Sequence, residues 1–133
     1  MPAKRLDHVN IATDRVEDTA DFFARVLGLK AIAPSENVPP QHGRWLLDDE
    51  GNAVIHLARP DLLRSAGHPT GPGGGSGSIH HVAFACEDYE GMLARLESEG
   101  RVEGTFAIEA MNLRQIFIRD PNGILLELNF TGA

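Results

Sequence analysis

Apolar and polar residues alternate from Leu6 to Ala12. Leu6, His8, Asn10 and Ala12 fall on one side and Asp7, Val9 and Ile11 on the other, which is strand periodicity. The period then changes. Thr13 or Asp14 can cap a helix with Glu17 and Asp18 in its first turn, and Ala20, Phe22, Phe23, Val26 and Leu27 form its apolar stripe. Gly28 stands where a left-handed C-terminal cap belongs, and Leu29 to Ala33 reads as a second strand. After an irregular stretch with Pro34, Pro39 and Pro40, Arg44 to Leu47 and Ala53 to Ala58 read as two strands joined by the turn Asp48 to Asn52. The pattern predicts a βαβββ module over residues 1–60.

Residues 79–133 repeat it. A strand is predicted from Ile79 to Ala85 and a helix from about Asp88 to Glu99, with Tyr89, Met92, Leu93 and Leu96 inward and Gly100 as cap. Strands near Val102 to Ile108, Leu113 to Ile118 and Ile124 to Phe130 follow, the last two joined by Asp120-Pro121-Asn122-Gly123. Between the modules, residues 61–78 carry the run Gly71-Pro72-Gly73-Gly74-Gly75-Ser76-Gly77-Ser78, which has too little apolar content to fold and is expected to be a flexible linker. A phosphate-cradling loop would precede a helix and commonly carry a Lys, whereas here a strand follows and no Lys does. Modules of about 55 residues bury too little surface to stand alone comfortably, so the two are expected to act as one α+β domain.

Composition narrows the classes of partner. With 12 Lys and Arg against 19 Asp and Glu, the formal charge of −7 argues against nucleic acid or an anionic membrane. A lone cysteine, Cys86, allows no internal disulfide, no apolar run is long enough to span a bilayer, and residue 1 opens no signal peptide; the expected location is the cytoplasm.

The repeat also duplicates chemistry. Leu6-Asp7-His8-Val9-Asn10-Ile11-Ala12 returns as Ile79-His80-His81-Val82-Ala83-Phe84-Ala85, and Asn52-Ala53-Val54-Ile55-His56-Leu57 as Gly123-Ile124-Leu125-Leu126-Glu127-Leu128. His8 thus matches His81, 73 positions on, and His56 matches Glu127, 71 positions on, which implies a small loop difference between the modules. By alternation His81, not His80, shares the inward face with His8. One buried His is usually a packing residue and one strand Glu usually faces water. Packing gives no reason, however, for ligand-type side chains to recur at the same sites of both modules. Glu127, set among Leu125, Leu126 and Leu128, needs a partner or a metal. His8, His56, His81 and Glu127 are therefore the expected metal ligands, with Glu127 and His56 the candidate catalytic groups. Cys86 is expected to be packed rather than ligating, His42 and Arg44 are weak candidates near Pro39-Pro40, and His68 has no functional case.

The βαβββ duplication, the Leu6-Asp7-His8-Val9-Asn10 opening, the helix end Phe23-Ala24-Arg25-Val26-Leu27-Gly28-Leu29 and the closing stretch from Asp120 to Leu128 resemble the vicinal oxygen chelate superfamily of glyoxalases, extradiol dioxygenases, epimerases and resistance proteins. The resemblance implies a cup-shaped, partly closed mixed sheet with helices outside and one divalent metal (Mn, Fe, Ni, Co or Zn) inside, held by first- and last-strand residues. His8 and His81 match the first-strand ligands and Glu127 the last-strand carboxylate. His56 stands where glyoxalases have a second Glu and the epimerases a Gln. The implied activity is a lyase or isomerase reaction in which a small vicinal-oxygen substrate is chelated and its enolate stabilised. A ring-cleaving dioxygenase using ferrous iron on two His and one carboxylate is the alternative, and a metal-free drug-binding protein of the bleomycin-resistance type a further one. Fosfomycin-type thiol transfer ranks lower, since Arg44 and Arg114 are the few cations near the cup strands. A homodimer is expected, with the cup closed within one chain or by exchange between two.

Overall fold

The computed structural model describes residues 4–65 and 79–132; His68 and the glycine-rich run lie outside them. The chain divides into two compact units, Met1–Gly73 and Gly74–Ala133. The first contains β1 (Val9–Ala12), α1 (Val16–Leu27), β2 (Lys30–Ile32), β3 (Gly43–Leu47), β4 (Ala53–Ala58) and α2 (Pro60–Ser65). The second contains β5 (Val82–Ala85), α3 (Tyr89–Ser98), β6 (Gly104–Ile108), β7 (Leu113–Arg119) and β8 (Leu125–Thr131), with a 3-10 turn at Glu109–Met111. Each unit forms a four-stranded mixed sheet, in the orders β1-β4-β3-β2 and β5-β8-β7-β6. Both have a parallel first–last pair and two antiparallel pairs. The βαβββ reading therefore holds twice. No helix among the described residues is long and apolar enough to cross a membrane.

In the first unit α1 covers one sheet face. Val16, Ala20, Phe22, Phe23 and Val26 are buried with Ile11, Leu46, Ile55 and Leu57, and full burial of an aromatic such as Phe23 stabilises by about 1.5–3 kcal/mol. Gly28, at φ 75°, ends the helix by donating its N–H to Ala24, while Leu29 donates to Phe23, the left-handed cap expected of glycine there. The N-terminus differs from expectation. The cap residue is Arg15, and Thr13 Oγ1 instead accepts from Arg15 N–H at 2.9 Å, turning the chain one step before the helix. In the second unit Leu96 is the buried residue of α3, and Ile116, Ile118, Leu126, Leu128 and Phe130 are the buried apolar residues of the sheet. Asp88 caps α3 by accepting from Gly91 N–H, and Gly100 follows its end at φ 68°.

Both final hairpins are built on the same turn. Asp48 Oδ1 accepts from the N–H groups of Glu50 and Asn52, with Gly51 at φ 85°. Asp120 Oδ1 accepts from those of Asn122 and Ile124, with Gly123 also at φ 85°. These aspartates are 72 positions apart, whereas His56 and Glu127 are 71 apart. The missing step is a β-bulge and not a loop difference. Leu46 faces Ile55 and Leu47 faces Ala53, so Val54 has no opposite residue, while in the second unit Ile118 and Arg119 face Leu126 and Leu125 without a gap. A one-residue slip turns every side chain to the other face. By absorbing the extra residue, the bulge keeps His56 on the face that Glu127 occupies in its own unit.

Two further expectations are corrected. α2, Pro60–Ser65, occupies the start of the stretch read as linker. The first strand of each module begins at Val9 and Val82, later than the sequence pattern, so the histidines that precede them lie just outside the ladder.

Candidate metal and substrate site

Register places equivalent residues identically in the two units. Asn10 faces His56, which faces Trp45; Ala83 faces Glu127, which faces Phe117. Residues directly opposite in a sheet share a face. In each unit this face is the one turned away from the helix, because the alternating neighbours Ile55, Leu57, Leu126 and Leu128 are buried in the helix-covered core. His8 and His81 each lie two residues before the residue that faces His56 or Glu127.

In the first unit the rings form a stack. His8 lies parallel to His56 with centroids 3.7 Å apart and planes 9° from parallel, and Trp45 lies on His56 at 4.4 Å and 14°. Stacked imidazoles cannot both carry charge cheaply. Burial, and secondarily the neighbouring His8, hold the His56 pKa below the ordinary histidine value. Asp7 Oδ2 lies 2.7 Å from His8 Nδ1. A carboxylate only accepts, so Nδ1 carries the proton and the neutral ring offers Nε2 as its lone-pair donor. The same contact holds the Asp7 carboxyl below its usual range.

The second unit has a different pairing. His81 Nε2 faces Glu127 Oε1 at 3.5 Å, and the Glu127 side chain is only 14% exposed. Two donors about 2.1 Å from one ion at a right angle lie about 3 Å apart, so this spacing suits ligation of a common ion. The ring of His80, expected to turn away, instead brings its Nδ1 to 3.0 Å from His81 Nδ1. Alternation does not govern it, because residues 79–81 precede β5. In both repeats, then, the residue before the first-strand histidine engages that histidine's Nδ1.

Asn129 and Gln115 were not singled out by the sequence. Asn129 Nδ2 donates to Glu127 Oε2 at 2.9 Å, and Gln115 Nε2 donates to Asn129 Oδ1 at 3.0 Å. Asn129 was findable, being two residues from Glu127 and so on its face; Gln115 needed the β7–β8 register. Trp45 was missed for the same reason.

Other candidates fall away from these faces. Arg44 faces Leu57 on the helix-covered side, its Nε buried without a hydrogen-bond partner. Arg114 faces Phe130 on the equivalent side, paired with Glu90 at 2.9 Å and lying 4.0 Å over Tyr89. His42 ends the loop before β3, its carbonyl accepting from Arg59 N–H. Cys86 is pushed up to about 11 by burial, so its thiol stays protonated at neutral pH. Among the described residues of either unit, no three His, Cys, Asp or Glu side chains gather into a metal-holding group. The donors come as one pair per unit: His8 with His56, and His81 with Glu127.

The model of the Glyoxalase/Bleomycin resistance protein/Dioxygenase superfamily matches residues 5–128. The chain belongs to this superfamily. It is 32% identical over 133 residues to MhqA of Bacillus subtilis (strain 168), named for a ring-cleaving dioxygenase, covering 96% of this chain but only 40% of that protein. It is 30% identical over 138 residues to an ethylmalonyl-CoA/methylmalonyl-CoA epimerase of Cereibacter sphaeroides, covering 93% of this chain and 96% of that one. In structure it is similar to a glyoxalase/dioxygenase from Nostoc punctiforme, with a TM-score of 0.70 at 12% identity over 98% of this chain and 92% of that chain, a likeness of fold.

Proposed function

We propose that this protein is a metal-dependent enzyme of the lyase or isomerase type, binding a small substrate through two neighbouring oxygens and moving a proton next to a carbonyl. The observation that carries the reading is the equivalence of the two donor pairs, His8 with His56 and His81 with Glu127, at the same register positions of a duplicated unit. His8, His81 and Glu127 serve as ligands of a divalent ion and His56 as a further ligand or as the base, the imidazole and carboxylate donors suiting Mn, Fe, Ni, Co or Zn. When bound, the ion supplies Lewis acidity that makes a carbon acid beside the chelated carbonyl easier to deprotonate. His8 presents Nε2 because Asp7 holds its Nδ1. Glu127 has one oxygen held by Asn129 and the other directed toward His81, and is the sole carboxylate of the set. His56, kept neutral by its burial, can accept a proton near neutral pH.

A second reading, ring cleavage with ferrous iron on His8, His81 and Glu127, is favoured by the identity to MhqA. Length favours the first: the epimerase is matched over nearly its whole length, whereas this chain spans well under half of MhqA. The functional unit is proposed to be a homodimer, which would cover the sheet edges β1, β2, β5 and β6.

Metal analysis of the purified protein, followed by two assays on the loaded form, tests the proposal. We expect exchange of the carbon-bound proton of 2-oxo or acyl substrates with deuterium and no oxygen consumption with catechols. Oxygen uptake with ring cleavage would replace it by the second reading, and absence of bound metal at any tested ion would overturn both. His56→Ala separates roles for that residue: lost metal makes it a ligand, and retained metal with lost turnover makes it a base.

A further inference from the structure

We infer that Gln115 and Asn129 form a directional hydrogen-bond relay that fixes Glu127 as a single-oxygen donor. Resting on the metal reading above, this makes both of them positioning residues for metal binding. Two features of the second unit and one of the first carry it.

The relay is continuous. Gln115 on β7 lies directly opposite Asn129 on β8, and Asn129 lies two residues from Glu127 on the same face. The 3.0 Å and 2.9 Å bonds link the three side chains in one row. Its direction is set by charge. With Glu127 ionised, Asn129 must turn its NH2 to Oε2, which leaves its Oδ1 to accept, and Gln115 answers with its own NH2. Reversing both amides would set the Asn129 carbonyl against the carboxylate.

The relay also selects between the two carboxylate oxygens. Oε2 is taken by Asn129, while Oε1 remains toward His81 Nε2 at 3.5 Å. An unheld carboxylate can rotate to offer either or both oxygens; one tethered at Oε2 presents Oε1 alone, already ordered.

The first unit is an internal control. The register pair equivalent to Gln115 and Asn129 is Gly43 and Ala58, neither of which can donate or accept through a side chain. A Cβ on Gly43 would meet the Leu57 carbonyl at 3.3 Å, Val38 Cγ1 at 3.4 Å and Leu62 Cδ2 at 3.7 Å, so apolar groups and backbone fill that place. The unit that carries an imidazole in place of the carboxylate lacks the row, and the unit that carries the carboxylate has it.

The test is Mn(II) affinity of the full-length protein by titration, for wild type, Asn129→Leu, Gln115→Glu and Glu127→Ala, with thermal melting of each apoprotein to register folding. Supporting residues around metal ligands typically contribute about 10- to 100-fold in affinity. We expect Asn129→Leu to weaken Mn(II) binding by about tenfold or more. Gln115→Glu is close to isosteric and gives the sharper readout. The new carboxylate can only accept, so it draws the Asn129 NH2 away and turns the carbonyl toward Glu127. The relay predicts weaker Mn(II) binding, although an added negative charge on its own would strengthen it. If Glu127→Ala loses Mn(II) while Asn129→Leu and Gln115→Glu bind like wild type or tighter, the relay is wrong and the metal reading stands. If Glu127→Ala binds Mn(II) unchanged, both are wrong.

Discussion

The two units place the same backbone under opposite chemistry. At the candidate ligand position of the last strand the first has His56, packed between His8 and Trp45; the second has Glu127, beside His81 and held by Asn129. One site is a stack of flat rings in which burial favours the neutral form. The other is a carboxylate with one oxygen held by the Asn129 amide and the other beside His81. What the comparison teaches is that a duplicated fold preserves where a donor is presented, through register and a compensating bulge at Val54, while the neighbours decide what kind of donor can be sustained there. A carboxylate at position 56 would face the Trp45 indole on one side and Asn10 on the other, without the Gln115–Asn129 row, whose places are taken by Gly43 and Ala58.

The helices differ as well, and this is where the largest effects are expected. Phe23 of α1 and Leu96 of α3, 73 positions apart, are both fully buried. α1 buries six residues and α3 only Leu96. Phe23→Ala should lower unfolding free energy by about 3–5 kcal/mol and Leu96→Ala by about 2–3 kcal/mol, the sparser packing around α3 allowing more relaxation. Denaturant titration of the two variants checks the order; a larger loss at Leu96 would break the comparison.

A smaller effect follows from His56. Its pKa in the folded protein lies below the unfolded value near 6.5, chiefly through burial and then through His8. Protons therefore bind the unfolded chain more readily. The stabilisation from keeping His56 neutral is fully present above about pH 6.5 and is lost as pH falls through the folded pKa. His56→Leu should flatten this acid-side decline in denaturant titrations. Trp45, the sole tryptophan, stacks on His56, so its emission in wild type should titrate with a midpoint below about 6.5. A midpoint above that value would show that the stack does not favour the neutral ring.

Much of this arrangement was legible in the sequence because it is local or repeated. The repeat aligned His8 with His81 and His56 with Glu127, and the glycines at 28 and 100 marked the helix ends. Short or non-local features were not legible. α2 is six residues long with no buried side chain, too little to stand out from a linker. The Val54 bulge left only a one-residue change of offset, indistinguishable in sequence from a longer loop. The Trp45 stack and the Gln115 row depend on strand register, which joins residues 11 and 14 positions apart. Arg44 and Arg114 do stand on strands, β3 and β7, but composition reports a cation without its face, and register puts both on the helix-covered sides.

The central proposal is that the donor pairs His8 with His56 and His81 with Glu127 both take part in metal binding. Equilibrium dialysis against Mn(II) of wild type, His8→Ala/His56→Ala and His81→Ala/Glu127→Ala tests it most directly. The account predicts bound Mn(II) in wild type and a marked loss of affinity in each double variant. Wild-type Mn(II) affinity in either double variant would contradict it.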